Sequence, residues 1–460
     1  MRNSDHHGLV LKHGIPHGLV RRGLVVLAIA AQFCAAPARA SDASRRSAVV
    51  KAVDRVGPAV VNISTEQTVE SRAPFPGFRD PLFDDFFRDF FEPRQQTRTS
   101  LGSGVIVRSD GYVLTNQHVI LRGGRVKVTL ADEREFEARL VGTDSDSDLA
   151  VLRIDTQEKL PAAEMGDSDS ILIGETVIAI GNPFGLSHTV TTGVISAVGR
   201  SLKTEDQTYY DFLQTDASIN PGNSGGPLLN IDGELIGVNT AIYQKAQGIG
   251  FAIPANRAKR IVGDLIKYGE VHNPWMGAVV QDLSDDLADH FGIAKRRGVL
   301  VRSIEEDSPA DEAGVKAGDL ILEVDEHPVR SSDQYEQRIR DHAAEGEIRL
   351  LLFRAGGEES VRVRSRGYPN DRADAVAWKL IGLRVRESRG SVAVAEVRSG
   401  SSAAKIGIQS GDVVAGVSGA PVETLEQFRR RVVDARNSQA VLLSVRRGQR
   451  LYNVQVPLRG

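Results

Sequence analysis

Asp216-Ala-Ser-Ile-Asn-Pro-Gly-Asn-Ser-Gly-Gly-Pro227 sets one serine, Ser224, among Gly222, Gly225 and Gly226. A serine hydroxyl is a weak nucleophile unless a base stands within hydrogen-bond reach. The glycines permit a tight turn that aims the N–H groups of Gly222 and Ser224 at one point, as in an oxyanion hole. Loss of one such donor typically costs ~2.7–4 kcal/mol of transition-state stabilisation. A Gly-x-Ser-Gly turn by itself is equally a plain hairpin, so a base and a carboxylate must be found elsewhere in the chain.

Between residues 41 and 265 only two histidines occur, His118 and His188. His188 sits in Gly185-Leu-Ser-His-Thr189, which reads as an exposed loop. His118 ends the apolar stretch Leu114-Thr-Asn-Gln-His-Val-Ile120 and is the better base, although a lone histidine is often only structural. Asp148 closes Asp144-Ser-Asp-Ser-Asp148 and leads into the apolar strand Leu149-Ala-Val-Leu-Arg-Ile154. A carboxylate at the edge of a core can accept the histidine Nδ1–H and fix its tautomer. The same acidic run could be a calcium loop, but its spacing does not fit an EF-hand. The order His118, Asp148, Ser224, with gaps of 30 and 76 residues, is that of chymotrypsin-type barrels.

The surrounding pattern agrees with a β-rich fold. Val105-Ile-Val107 and Tyr112-Val-Leu114 flank the turn Ser109-Asp-Gly111. Val126, Val128 and Leu130 alternate with polar residues, as do Phe136, Ala138 and Leu140, which predicts half-buried antiparallel strands. Asp232-Gly233 turns between two further apolar runs. Residues 73–98 are rich in Phe, Pro, Asp and Arg and read as a long surface loop.

The last third repeats itself. Ser308-Pro-Ala-Asp-Glu-Ala-Gly-Val-Lys-Ala-Gly-Asp319 aligns with Ser401-Ser-Ala-Ala-Lys-Ile-Gly-Ile-Gln-Ser-Gly-Asp412, an offset of 93 residues that persists through Val324/Val417 and Pro328/Pro421. A helix is expected over 333–342 and again over 425–435, each followed by strands, with residues 364–374 as a polar linker.

With 460 residues, about two to four domains are expected. The formal net charge of −3 offers no broad basic field for nucleic acid. Arg21 and Arg22 precede the apolar run 23–31, and Ala38-Arg-Ala40 supplies small residues for cleavage, so residues 1–40 read as an export signal; an uncleaved anchor is the alternative. Cys34 is the single cysteine and would leave with that segment, which excludes disulfides and thiol catalysis in the mature chain. No metal and no other cofactor is expected. The mature chain should be soluble.

These residues resemble the periplasmic HtrA/Deg (Do-like) serine protease family. Gly102-Ser-Gly-Val-Ile-Val107, Thr115-Asn-Gln-His-Val119, Asp148-Leu-Ala-Val151, Ala179-Ile-Gly-Asn-Pro-Phe-Gly185, Gln214-Thr-Asp-Ala217, Gly222-Asn-Ser-Gly-Gly-Pro227 and Gly250-Phe-Ala-Ile-Pro254 carry the resemblance. It implies a mainly β chain: a chymotrypsin-like double β-barrel protease domain over 41–265, then two α+β PDZ domains over 272–365 and 376–460. It implies an ATP-independent serine endoprotease with His118, Asp148 and Ser224 as triad and the backbone of Gly222, Asn223 and Ser224 as oxyanion hole.

Val238, Asn239, Thr240, Ala241 and Ile242 would pair with substrate backbone, and Ile219, Ile242 and Ile249 would line S1, unless these isoleucines are simply core. Ser218 stands six residues before the nucleophile, where a trypsin-like pocket carries an acid, so cleavage after small or medium apolar residues is expected. By the same resemblance Trp275, Met276, Gly277 and Ala278, and Leu380, Ile381, Gly382 and Leu383, would form the peptide-carboxylate loops. Arg200 would sense peptide binding, and the protease domains would trimerise or build larger cages. Unfolded polypeptides and C-terminal peptides are the expected partners. A signalling protease with one target, or a PDZ scaffold or holdase with a silent barrel, remains the alternative.

Overall fold

The computed structural model describes residues 45–67, 98–120, 124–182, 188–203, 208–220, 222–242, 248–290, 297–388, 390–437 and 440–458. The expected export signal with Cys34 and nearly all of the loop expected over 73–98 lie outside these residues, as do the side chains of Ala241 and Ile242.

After helix α1 (Ala48–Val56), six strands close a first barrel. They are β1 (Val60–Gln67), β2 (Arg98–Arg108), β3 (Tyr112–Asn116), β4 (Arg125–Thr129), β5 (Glu135–Asp144) and β6 (Leu149–Ile154), in the order β1-β2-β3-β6-β5-β4. A one-turn helix α2 (Gln117–Ile120) follows β3. The second barrel comprises β7 (Thr176–Gly181), β8 (Thr189–Lys203), β9 (Thr208–Thr215), β10 (Pro227–Leu229), β11 (Leu235–Ile242) and β12 (Gly250–Pro254), ordered β10-β11-β12-β9-β8-β7. Closure leaves neither barrel an exposed edge.

Strand β6, in the barrel wall between β3 and β5, is buried along almost its whole length. One expected alternation fails on β5: Ala138 is buried but Leu140 is 52% exposed. Leu140 is still paired opposite Leu152, and the ladder with β6 shifts register only after it, between Leu140 and Gly142.

Helix α3 (Ala255–Tyr268) leaves the second barrel and ends at Gly269 in a left-handed turn. Two similar units follow. The first has α4 (Asp285–His290), α5 (Pro309–Glu312), α6 (Ser332–Arg340) and β13 (Ala278–Asp282), β14 (Val299–Ile304), β15 (Leu320–Val324), β16 (His327–Pro328), β17 (Glu347–Arg354) and β18 (Gly357–Arg364). The second has α7 (Asn370–Val376), α8 (Ser402–Lys405), α9 (Leu425–Asp434) and β19 (Leu383–Ser388), β20 (Ser391–Val397), β21 (Val413–Val417), β22 (Ala420–Pro421), β23 (Ala440–Arg447) and β24 (Arg450–Pro457).

Their sheets run β13-β14-β15-β17-β18 and β19-β20-β21-β23-β24, so the sequence repeat is a repeat of topology. Ser308 caps α5 and Ser401 caps α8 through equivalent hydroxyls accepting from Asp311 N and Ala404 N.

The linker expected over 364–374 is ordered as helix from Asn370 onward. Pro369 precedes it at a position where a missing N–H costs nothing, Ala373 and Ala377 bury against the second unit, and Arg429 of α9 holds Asp374 at 2.6 Å.

Candidate active site

Strand pairing brings the first two catalytic candidates together. In the β3–β6 ladder Asn116 lies opposite Leu149, so the chain leaving β3 into α2 passes the residue that opens β6. Asp148 adopts a left-handed backbone with φ 52°, and its carbonyl accepts from Gln117 N at 3.0 Å and Asn116 Nδ2 at 3.0 Å. Its carboxylate then faces His118: Oδ1 accepts the His118 backbone N–H at 3.0 Å, and Oδ2 meets Nδ1 at 2.6 Å. Both side chains are only 7% exposed. Thr240 Oγ1 donates to the same Oδ2 at 2.9 Å.

Ser224 comes from the other barrel, in the turn before β10. Gly225 N donates to Asn239 O and Asn239 N to Gly226 O, which extends the β10–β11 pairing up to the nucleophile. The Ser224 hydroxyl donates to Thr240 O at 3.2 Å. Thr240 therefore touches the serine through its carbonyl and the aspartate through its hydroxyl.

Ser103 on β2 ties the nucleophile turn to the first barrel. Its N–H donates to Ser224 O at 2.9 Å, its hydroxyl donates to Gly222 O and accepts from Asn182 N at 2.7 Å, and its carbonyl accepts from Thr115 Oγ1 at 2.7 Å. Gly225 is required by this approach: its φ is 82°, and a Cβ there would lie 2.2 Å from Ser103 O.

Of the three oxyanion candidates, Asn223 spends its N–H on Asn220 O at 2.9 Å. The N–H groups of Gly222 and Ser224 make no hydrogen bond to a described residue. Those two can serve a developing oxyanion.

Beside the triad, burial and the neighbouring Asp146 push the Asp144 carboxyl up to about 6. Val238, Asn239 and Thr240 lie buried on β11, where Asn239 Nδ2 donates to Pro227 O at 3.0 Å. Ile219 packs with Leu213, Ala217 and Ala252 in the second barrel, against the bare backbone of Gly250. Ile249 is half-buried. His188 lies away from the triad, with Nε2 3.3 Å from Val60 O.

In the first repeat unit Trp275 and Met276 are buried, and Gly277 O accepts from Glu305 N at 2.8 Å. In the second, Ile381 and Leu383 are buried, Leu380 packs on the core and Gly382 O accepts from Arg398 N at 2.8 Å. A Cβ on Gly277 would meet Ser308, and one on Gly382 would meet Ser401, at 2.1 and 2.2 Å. The two turns are thus built alike, and each precedes an edge strand, β13 or β19.

Arg200 lies on β8, beside the strand β9 whose residues meet the first repeat unit. Its Nε donates to Gln214 Oε1 at 2.9 Å within the β8–β9 pair. The residues that do reach across were not singled out in the sequence. Arg257 of α3, 6% exposed, bonds Asp341 at 2.7 Å and Tyr210 O at 2.9 Å, and lies 3.4 Å from Asp211. Arg338 of α6 reaches Asp211 at 3.3 Å, and the Tyr210 hydroxyl donates to Asp333. Among the described residues no cluster of His, Cys, Asp and Glu could hold a metal, and no helix is long and apolar enough to cross a membrane.

Comparison with known proteins follows this architecture. Residues 102–238 match the trypsin-like peptidase domain family, and residues 274–364 and 380–458 each match the PDZ domain family. A probable periplasmic serine endoprotease DegP-like of Marinomonas sp. is 38% identical over 424 residues, covering 85% of this chain and 90% of the relative. A protein of the same description from Halomonas elongata is 38% identical over 439 residues, covering 88% and 92%. The solved structure of the HtrA-type protease AlgW with a tripeptide is 38% identical, covers 70% of this chain and 97% of its own, and superposes with a TM-score of 0.51.

Proposed function

The chain belongs to the HtrA family of DegP-like periplasmic serine endoproteases, and from that premise we propose that it cleaves unfolded envelope polypeptides through an acyl-enzyme on Ser224. The Ser224 hydroxyl turns from Thr240 O toward His118 and attacks the scissile carbonyl carbon. His118 takes its proton, and the oxyanion rests on the N–H groups of Gly222 and Ser224. Collapse of the tetrahedral species expels the amine, which leaves with the proton from His118. Water then enters, deprotonated by His118, and releases the acyl group.

The observation that carries this reading is the buried Asp148–His118 pair at 2.6 Å, with Oδ2 also held by Thr240. It fixes the tautomer with Nδ1–H toward the carboxylate, and so leaves Nε2 as the base.

No Walker-type phosphate loop is present in the sequence, so unfolding would not be driven by a built-in ATPase. Cleavage after small or medium apolar residues is favoured by Ser218, which puts no acid near Ile219. The units matching PDZ domains would take C-terminal peptides by strand addition at β13 and β19. We assign the protease to residues 41–265 and the PDZ units to 272–365 and 376–460, with a trimer through the protease domains and holding activity toward unfolded chains.

The test is casein degradation by the full-length protein beside Ser224→Ala. We expect turnover to fall at least ~1,000-fold. Equal turnover by both would remove Ser224 from the chemistry. In a peptide series, preferred cleavage after Lys or Arg would overturn the apolar specificity.

A further inference from the structure

A cavity of about 620 Å³ lies where three parts of the chain meet. Met276 and Gly277, the turn into edge strand β13, form one wall with Tyr335 and Ile339 of α6. The other walls do not belong to that unit. Arg431 and Arg436 come from α9 and the turn after it, and Asp146 comes from the turn that ends at Asp148.

The charges around this space are unequally satisfied. Asp146 and Glu336 both face Arg340, at 3.8 and 3.7 Å. Asp333 accepts from the Tyr210 hydroxyl, and Asp434 accepts from Asn273 Nδ2 at 3.4 Å. Among the described residues Arg431 and Arg436 form no ion pair at contact distance. Both lie near enough to Asp434 to oppose the upward push of burial on its carboxyl, and Arg431 acts likewise on Asp144 and Glu270.

Arg436 is nonetheless held in place: Nη1 donates to Val433 O at 2.8 Å, and the guanidinium lies 5.2 Å from the ring centre of Tyr368. Tyr368 in turn packs edge-on against Trp275 at 5.1 Å, so this cation is anchored beside the start of the 275–278 turn. A guanidinium that no carboxylate contacts directly still has donors to offer an incoming anion, and its planar fork suits a carboxylate.

We infer that the second PDZ unit completes the peptide site of the first, with Arg431 and Arg436 holding the C-terminal carboxylate of a peptide laid along β13. The inference rests on the reading that β13 takes a C-terminal peptide. The occupant is the end of an extended polypeptide. A chain terminus brings both a carboxylate that the two arginines can bond directly and the apolar side chains that Met276 and Ile339 can cover. The cavity volume is within the range of sites that enclose small ligands. Peptide recognition is then a property of the two units together, and a seated chain end also abuts the turn carrying Asp146.

The test is fluorescence anisotropy on the full-length protein, carrying Ser224→Ala to prevent cleavage. The probe is a fluorescein-labelled decapeptide ending in Leu-Val-Leu, as the free acid and as the C-terminal amide. Arg431→Gln with Arg436→Gln should weaken binding of the acid by about tenfold or more, the loss of a charge-assisted contact. The amide should bind parent and variant alike, and the paired lysine variant, which keeps the charge but not the fork, should fall between the two in affinity for the acid. A third protein, Gly277→Val, separates the two claims. If it loses the peptide while the glutamine variant keeps full affinity for the acid, the β13 site stands and the role of the arginines is overturned. If the parent binds acid and amide equally, or Gly277→Val binds as well as the parent, both fall. Thermal midpoints of all variants show whether a loss reflects unfolding, and the single Arg431→Gln protein serves if the pair does not fold.

Discussion

The Asp148 carboxylate accepts three hydrogen bonds, two from His118 and one from Thr240 Oγ1. A hydrogen bond to a charged group is worth ~1.5–3 kcal/mol, so Thr240 is a positioning residue of consequence. Thr240→Val keeps the shape and removes the donor. It should lower kcat ~10- to 100-fold with KM and thermal midpoint little changed. An unchanged kcat would show that Asp148 holds its place without Thr240; a fall in midpoint with unchanged kcat would mark a packing role only. His118, Asp148 and Ser224 were legible in the sequence because their residue types are scarce there or glycine-lined and their order is diagnostic. The side-chain bond of Thr240 and the three bonds of Ser103 to the nucleophile turn and Asn182 were not. A threonine or serine on a β-strand carries no local mark of what it meets across two barrels.

At the scale of elements, the 93-residue repeat announced two like units, and the structure extends it to an ion pair that the aligned stretches stop short of. Asp319 bonds Arg354 at 2.6 Å and Asp412 bonds Arg447 at 2.7 Å. Each arginine also donates to the carbonyl of an equivalent glycine, Gly314 or Gly407. Each pair thus fastens the turn after the short helix to the strand β17 or β23. Hydrogen bonding from Arg447 holds the Asp412 carboxyl below its ordinary range, although burial pushes it the other way.

A carboxylate depressed on folding contributes stability that is present above its unfolded pKa and is lost as pH falls through the folded one. Asp412→Asn should therefore cost the second unit about 1–3 kcal/mol at neutral pH, with the deficit shrinking below roughly pH 4. Urea midpoints across that range check it, and a pH-independent deficit would assign the loss to packing. The interruptions to the sequence reading were local contests of the same kind. Leu140 is exposed where the β5–β6 ladder is about to break register, and residues 370–376 are helix because Arg429 and a buried alanine face fix a polar stretch that composition alone marks as linker.

Across the whole molecule, the first PDZ unit is joined to the second barrel by a network invisible to any reading of one segment, since its members lie far apart in the chain. Arg257 spans Asp341, Tyr210 O and Asp211, while Arg338 and Asp333 of α6 hold the start of the β9 hairpin through Asp211 and Tyr210. Helix α6 therefore has one side on the cavity beside β13 and another on the β8–β9 pair that carries Arg200. Burial opposes charge on Asp341, but Arg257 outweighs it and keeps the carboxyl ionised.

Removing one partner of a buried pair strands the other charge, a loss of about 3–5 kcal/mol, whereas replacing both with apolar residues can be nearly neutral. Asp341→Ala should release the first PDZ unit from the barrel: faster trypsin cleavage between the two, and faster amide exchange in residues 188–215. Arg257→Met with Asp341→Leu should recover the stability. If it also restores slow exchange, the contact acts through packing; if exchange stays fast, the ion pair itself holds the hairpin. Unchanged exchange in Asp341→Ala would mean that the β8–β9 pair is ordered without the PDZ unit.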